Sequence, residues 1–156
     1  MSSENRTSVP NSLNEHWMPF TSNKDFKANP RLITEAKGVY LKTHHGKTQI
    51  DASSGLFCNP LGHGRKEITE AVTKQLDTLD YAQPFQQGFG GSFELASKIA
   101  KHTPGDLNKM FFTICGSTAV ETAIKIAVAY HRAKGDAQRF RFVGRERGYH
   151  GMNIGC

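Results

Sequence analysis

The joint between a short apolar run and a long amphipathic run, in MFFTICGSTAVETAIKIAVAY at 110–130, restricts the fold of this chain most strongly. The apolar run at 110–114 predicts a short strand, and helical spacing of apolar residues from Ala119 to Tyr130 predicts a helix. Gly135 is a natural end for that helix. A strand that leads directly into a helix is typical of an α/β domain with a mainly parallel sheet, in which ligands bind beyond the carboxyl ends of strands. The joint is therefore a candidate binding site.

Other segments predict the same fold class. The run VYLKTHHGKTQIDA predicts a β-hairpin that turns at His45–Lys47. Apolar spacing predicts a helix over 65–79 and another that begins at Ser92 and ends before Pro104. Residues 140–143 predict one more short strand. Helices that alternate with strands in this way indicate an α/β architecture.

Charge and cysteine content narrow the class of protein. The net charge is +6, and six Lys/Arg residues lie between Arg132 and Arg147. We interpret them as a solvated helix end and loop, because no nucleic-acid motif or aromatic-interleaved basic ribbon accompanies them. Three widely spaced cysteines favour neither a disulfide framework nor a zinc site, and indicate a reducing, cytoplasmic setting. No metal site is predicted.

The N-terminal segment has the composition of a disordered tail, which we place at residues 1–15. It lacks the basic start and apolar stretch of a secretory signal. No apolar run approaches the ~20 residues that a membrane-spanning helix needs. We therefore expect neither membrane nor nucleic-acid partners.

The residues at the joint suit a phosphate group. Thr118 and Glu121 match a capping box that would begin the helix, and Glu121 and Lys125 have the favourable i,i+4 order. The helix N-terminus would then face Gly116, which allows close approach, and Ser117, which adds a hydroxyl. Ordinary turn and cap chemistry explains the same residues equally well. Neither a GxGxxG nor a GxxxxGK[ST] pattern is present, so Rossmann and P-loop sites are not supported.

A second glycine-flanked loop, GYHG at 148–151, follows the second predicted strand. Tyr149 could stack on a planar ring, and His150 could orient a polar group beside it. A half-buried loop tyrosine and an ordinary surface histidine are the alternatives. A phosphate cradle beside a ring platform suits a phosphorylated aromatic cofactor such as pyridoxal 5'-phosphate.

Several blocks together resemble the N-terminal part of class III, or omega-amino acid, aminotransferases, and most of all the β-alanine:pyruvate type. They run in the family's order from about His16 to the end of the chain: HWMPFTSNKDFKANPR, GVYL, SGLF, GHGRKEI, SFELASKIA, TPGDLNKMFFT, GSTAVETAIKIA and GRERGYHG. The resemblance implies fold type I of the pyridoxal phosphate enzymes. Residues 16–60 would belong to the small domain and residues 61–156 to the large cofactor-binding domain.

The resemblance also implies residue roles. Gly116 and Ser117 match the positions that hold the cofactor phosphate, Tyr149 the aromatic that stacks on the pyridine ring, and His150 its neighbour. Phe20, Phe57 and Phe85 look like walls of the substrate pocket, and the segment around Phe85 tends to reach the partner's active site in such dimers. The chain departs from the family where Cys115 and Thr118 flank Gly116 and Ser117, where Phe57 replaces a common tryptophan, and in QQGFGG.

The family's Schiff-base lysine, its carboxylate for the pyridinium nitrogen and its arginine for the substrate carboxylate would all lie beyond residue 156. No catalytic residue is therefore assigned, and we expect the chain to be an inactive N-terminal part of a longer enzyme. That enzyme would move an amino group from an omega-amino acid or amine to pyruvate or a related oxo acid, as a homodimer or homotetramer. The alternative is a non-catalytic module that binds phosphorylated metabolites or pairs with another subunit.

Overall fold

The computed structural model describes residues 9–155. These residues form two compact units, which divide between Ala82 and Gln83. The elements of the first unit are α1 (Asn23–Ala28), β1 (Ile33–Lys37), β2 (Tyr40–Thr43), β3 (Thr48–Ile50) and α2 (Lys66–Thr78). Those of the second unit are α3 (Gly90–Ala100) and α4 (Gly116–Ala133). The predicted tail at 1–15 falls partly outside the described residues, and residues 9–15 contain no helix or strand.

The three strands form one antiparallel sheet in the order β1-β2-β3. The predicted hairpin is confirmed, since Tyr40 pairs with Ile50 and Lys42 with Thr48. Gly46 makes its turn with a φ of +77°, a conformation that suits glycine because it has no Cβ. The sequence interpretation missed β1 and α1, which are short elements with weak periodic patterns.

The predicted helices are confirmed, with ends shifted by a few residues. Helix α2 begins one residue after Arg65, and α3 begins at Gly90 rather than Ser92. Their apolar residues are only partly covered. Ile68, Val72 and Leu76 on α2 keep about half of their surface exposed, and Phe93 on α3 remains 69% exposed. These faces carry apolar surface that no part of residues 9–155 buries.

The two strands predicted at 110–114 and 140–143 are wrong for this chain. Neither segment pairs with another strand among residues 9–155, and the only ladders there are antiparallel. A strand is defined by its hydrogen-bonded neighbours, so an apolar run alone does not make one. Ile114 and Val143, the last residues of the two predicted strands, are 94% and 99% exposed.

Burial in the first unit centres on α1 and the start of the sheet. Phe26, at 8% exposed, is the one buried hydrophobic residue among the described residues, and the Arg31 guanidinium lies 5.5 Å from its ring centre. His44 is the buried polar side chain, at 4% exposed. Its backbone N–H donates to the Leu32 carbonyl at 2.9 Å, which ties the end of the hairpin to the segment before β1.

Candidate functional site

One pocket of about 340 Å³ in the second unit contains all four residues predicted to hold the cofactor. Residues from the start of α4 form one side, and residues from the GYHG loop form the other. The lining consists of Gly116, Ser117, Val120, Tyr149, His150 and Gly151. The structure therefore brings a helix start and a loop together although Ser117 and Tyr149 are more than thirty residues apart in sequence. No acidic side chain is part of the lining.

Helix α4 begins at Gly116, three residues earlier than the predicted capping box would place it. Cys115, in an extended conformation, is the N-cap residue, and its carbonyl accepts the first helical bond from the Ala119 N–H at 3.0 Å. The prediction that Thr118 is the cap is wrong, because Thr118 lies inside the first turn. As a result, the N-terminal end of the helix dipole lies at Gly116 and Ser117 themselves.

Gly116 leaves space in this first turn. A Cβ placed on it would meet no atom within 4 Å, apart from its chain neighbours and its own helix backbone. A glycine here is not needed to relieve crowding, and its backbone lies open beside the pocket. That arrangement suits close approach of an anionic group to a helix N-terminus.

Two side-chain bonds attach the segment after the GYHG loop to α4. The Met152 N–H donates to Ser117 Oγ at 3.1 Å, and Asn153 Nδ2 donates to Glu121 Oε2 at 2.9 Å. The Lys125 ammonium lies 2.9 Å from Glu121 Oε1, which confirms the predicted pair. Lys125 and then Asn153 lower the pKa of the Glu121 carboxyl below its usual 4.5. The roles of Met152 and Asn153 were missed, since no local pattern signals a bond across more than thirty residues.

Glycines shape the GYHG loop around the imidazole of His150. A Cβ on Gly148 would lie 2.7 Å from His150 Nε2 and 3.0 Å from the Arg145 carbonyl oxygen, so a larger residue would force the ring to move. Gly151 has a φ of +142°, and Arg147 enters the loop with a φ of +57°. Tyr149 keeps 73% of its surface exposed at the pocket. Its ring is thus available for contact with a ligand.

The profile of the class III aminotransferase family matches residues 21–156. The chain belongs to this family. An omega-amino acid–pyruvate aminotransferase from Pseudomonas putida is 51% identical over 142 residues, which are 91% of this chain and 32% of that protein. A beta-alanine–pyruvate aminotransferase from Pseudomonas aeruginosa is 50% identical, again over 91% of this chain and 32% of its own length. This class III chain therefore spans about a third of the length of these relatives.

Solved structures share the backbone of this class III chain. The omega transaminase from Pseudomonas jessenii in complex with PMP has a TM-score of 0.88 at 29% identity, over 94% of this chain and 33% of its own. An (S)-enantioselective omega-transaminase from Thermomicrobium roseum has a TM-score of 0.83 at 33% identity, over 87% and 31% of the two chains. The fold is the N-terminal portion of fold type I, as predicted.

The three predicted substrate-pocket residues lie outside the pocket at Gly116. Phe20 and Phe57 belong to the first unit, and Phe85 belongs to the second. Each is highly exposed, at 81%, 88% and 73% respectively. Phe20 and Phe57 have φ values of +51° and +68°, which are unusual for non-glycine residues.

The Cys115 thiol, at the departure from the family pattern, lies at the positive end of α4. Its Sγ is 3.3 Å from Thr118 Oγ1, and the side chain is exposed. The Thr118 hydroxyl and then the Thr118 N–H lower the pKa of this thiol from its usual 9.0. These hydrogen bonds stabilise the thiolate relative to that of an ordinary cysteine, and a serine at this position would lack that chemistry.

Residues 9–155 contain no helix long and apolar enough to cross a membrane. In that same range, the acidic, histidine and cysteine side chains form no cluster of three or more that could ligate a metal ion.

Proposed function

We propose that this chain forms the N-terminal third of an aminotransferase that moves an amino group from a β-alanine-like omega-amino acid or amine to pyruvate or a related oxo acid. The observation that carries the proposal is the pocket in which the start of α4 meets the GYHG loop. The names of the two Pseudomonas relatives, at 50% and 51% identity, support this choice of donor and acceptor.

The residues of this pocket fit pyridoxal 5'-phosphate. Gly116 and Ser117 combine an open backbone, a hydroxyl and the positive end of a helix dipole, which suits a phosphate. The exposed phenol of Tyr149 offers a face for the pyridine ring, and His150 is held beside it by the glycine backbone. The lack of a carboxylate in the lining avoids repulsion of the phosphate.

Bound in this pocket, the cofactor would withdraw electrons from the amino carbon of the donor and store its amino group. The residues of this chain would hold the phosphate at Gly116 and Ser117 and keep the ring flat against Tyr149. Phe20, Phe57 and Phe85 would supply apolar walls for the donor. No proton transfer is assigned to any residue of this chain.

We further propose that the complete enzyme is a cytoplasmic homodimer or homotetramer, and that residues 1–156 alone do not transaminate. The remaining two thirds of the family fold would cover the exposed apolar face of α2, and would also cover Ile114 and Val143. The family's catalytic lysine would also come from that part. Enzyme-like turnover of β-alanine and pyruvate by purified 1–156 would contradict this assignment.

The decisive experiment is Gly116→Ala in the full-length enzyme, meaning this chain followed by the rest of the family fold. Because a Cβ meets open space here and alanine is the better helix former, we expect unfolding stability to be unchanged or raised, by up to about 1 kcal/mol. Affinity for pyridoxal 5'-phosphate should fall at least tenfold, because the methyl group would stand where the phosphate approaches.

The same experiment separates the alternative function. Gly90→Ala is the matched control, since Gly90 lies at the start of α3 and its Cβ would also meet open space. The full-length protein should transaminate β-alanine and pyruvate. Binding of phosphorylated compounds that depends on Gly116, with no transamination, would instead identify a phosphometabolite-binding module. Cofactor affinity unaffected by Gly116→Ala would refute the assigned pocket.

A further inference from the structure

The segment that carries Phe57 is a single left-handed helical turn. Ser54, Gly55, Leu56 and Phe57 have φ values of +51°, +59°, +53° and +68°. The Phe57 N–H donates to the Ser53 carbonyl at 3.0 Å, which closes the turn. L-residues disfavour this conformation because Cβ crowds the backbone, and only Gly55 escapes that crowding. The backbone preferences of Ser54, Leu56 and Phe57 are therefore overridden by surrounding contacts.

The carboxylate of Asp51 supplies the first of these contacts. Its Oδ1 accepts the Ser53 hydroxyl at 3.1 Å and the Gly55 N–H at 3.2 Å. Its Oδ2 accepts a bond from His63 Nε2 at 2.9 Å. The Asp51 side chain is only 7% exposed, so water does not compete strongly for it. One carboxylate thus joins the start of the turn to a histidine twelve residues away.

The imidazole of His63 bridges the two sides of the turn. With its Nε2–H donated to Asp51, its Nδ1 accepts from Asn59 Nδ2 at 2.7 Å. The Asn59 N–H in turn donates to the Ser54 carbonyl at 2.8 Å. We call these three residues, Asp51, Asn59 and His63, the turn clamp.

The turn clamp is attached to the sheet at the connection between β1 and β2. The N–H and C=O of His63 exchange hydrogen bonds with Gly38 at 2.8 and 2.9 Å. Gly62 allows this approach, because a Cβ there would lie 3.1 Å from the Gly38 carbonyl oxygen. The backbone of His63 is therefore fixed to the β1–β2 connection, and the strained turn is attached to the sheet through this residue.

No comparable set of contacts from residues 9–155 holds the Phe57 ring itself. Phe57 is 88% exposed and its neighbour Leu56 is 76% exposed, so packing within the first unit does not set their positions. The direction of the Phe57 ring is instead set by the backbone of the turn. Strained backbone beneath exposed apolar side chains is typical of functional sites, because stability alone does not require it.

We propose that Asp51, Asn59 and His63 are positioning residues that hold the left-handed turn and thereby fix Phe57 as a size-determining wall for the amine donor. This inference rests on the proposed function, in which Phe57 lines the substrate pocket. The turn clamp itself need not touch the donor. Its effect on specificity would pass through Phe57 alone.

A double-mutant cycle in the full-length holoenzyme tests that path. The measured quantity is the ratio of kcat/KM for β-alanine to kcat/KM for a bulky benzylic amine. We expect His63→Ala and Phe57→Ala each to change this ratio at least fivefold, mainly through KM. In the Phe57→Ala background, His63→Ala should change the ratio less than twofold, because residues that act through one another are not additive.

Two further variants accompany the cycle. His63→Gln keeps a donor for Asp51, and we expect it to restore most of the ratio. Lys42→Ala is the control on the same sheet, since it removes only the exposed 3.2 Å pair with Glu35, and it should leave the ratio unchanged. If His63→Ala fails to fold, Asp51→Asn replaces it in the cycle, because that amide cannot accept all three bonds.

Amide hydrogen exchange of peptides that span residues 53–59 gives a readout independent of catalysis. Exchange there should accelerate at least tenfold in His63→Ala, while exchange in β2 and β3 stays constant. Unchanged exchange, or a specificity ratio that changes in Phe57→Ala but not in His63→Ala, would overturn the inference while leaving the proposed function intact. A protein without transaminase activity that still shows faster exchange would refute the proposed function and support the turn clamp.

Discussion

Replacement of Ser117 by alanine is the most direct test of how the pocket recognises its ligand. Ser117 Oγ accepts the Met152 N–H at 3.1 Å and lines the pocket beside Gly116. A hydroxyl has one donor and two acceptor lone pairs, so this bond is compatible with donation to a phosphate oxygen. The alanine variant would remove that donation and leave the helix start in place.

The expected loss follows from the charge of the phosphate. A hydrogen bond to a charged group contributes roughly 1.5–3 kcal/mol. We therefore expect affinity for pyridoxal 5'-phosphate to fall about 10- to 150-fold. Pyridoxal, which lacks the phosphate, should lose less than about threefold, because the removed donor has no phosphate to bind.

Titration of the apo form of the full-length enzyme, followed by cofactor absorbance, measures both affinities. Ser97→Ala is the matched control, because Ser97 donates to the Phe93 carbonyl at 2.9 Å on α3, outside the pocket lining. Asn153→Ala is the second control. It breaks the hydrogen bond from Asn153 to Glu121, which also attaches the segment after the GYHG loop to α4, and it removes no hydroxyl from the pocket.

Two results would refute the reasoning. Equal losses for pyridoxal 5'-phosphate and pyridoxal would show that Ser117 does not contact the phosphate. A loss in Asn153→Ala as large as in Ser117→Ala would show that the attachment of the segment, rather than a bond to the ligand, controls affinity.

Three further predictions concern the ring platform, the thiol and the turn clamp. Tyr149→Ala should weaken pyridoxal and its phosphate alike, by about 1 kcal/mol of lost stacking, and shift the bound absorbance band, whereas Tyr149→Phe should do neither. Alkylation of Cys115 should have a pH midpoint below 9.0 that rises in Thr118→Val, because Thr118 hydrogen bonds favour the thiolate; an unchanged midpoint would exclude that cause. The His63 imidazole and then the Gly55 N–H lower the pKa of the Asp51 carboxyl from its usual 3.8. The ionised carboxylate therefore contributes its full stability above pH 3.8, and this stability is lost as the pH falls through the lowered pKa. Urea unfolding between about pH 5 and pH 2 should show this loss, and His63→Ala should flatten it.

Local patterns in the sequence predicted the elements whose hydrogen bonds are local. Apolar spacing located α2, α3 and α4, and the turn at Gly46 located the β2–β3 hairpin. Gly116 and Ser117 could be predicted at a helix start because glycine and small polar residues mark such joints. The Glu121–Lys125 pair follows from helical spacing alone.

The tertiary structure decided those features that depend on contacts between residues distant in the sequence. The apolar runs at 110–114 and 140–143 do not become strands, because pairing needs a neighbour that residues 9–155 do not supply. The pocket exists because the GYHG loop lies against α4 across more than thirty residues of sequence. The left-handed turn of Phe57 is held by a histidine that reaches Asp51 from twelve positions away. Residue preferences act over a few neighbours, so they can indicate a helix start but cannot specify which distant side chains meet there.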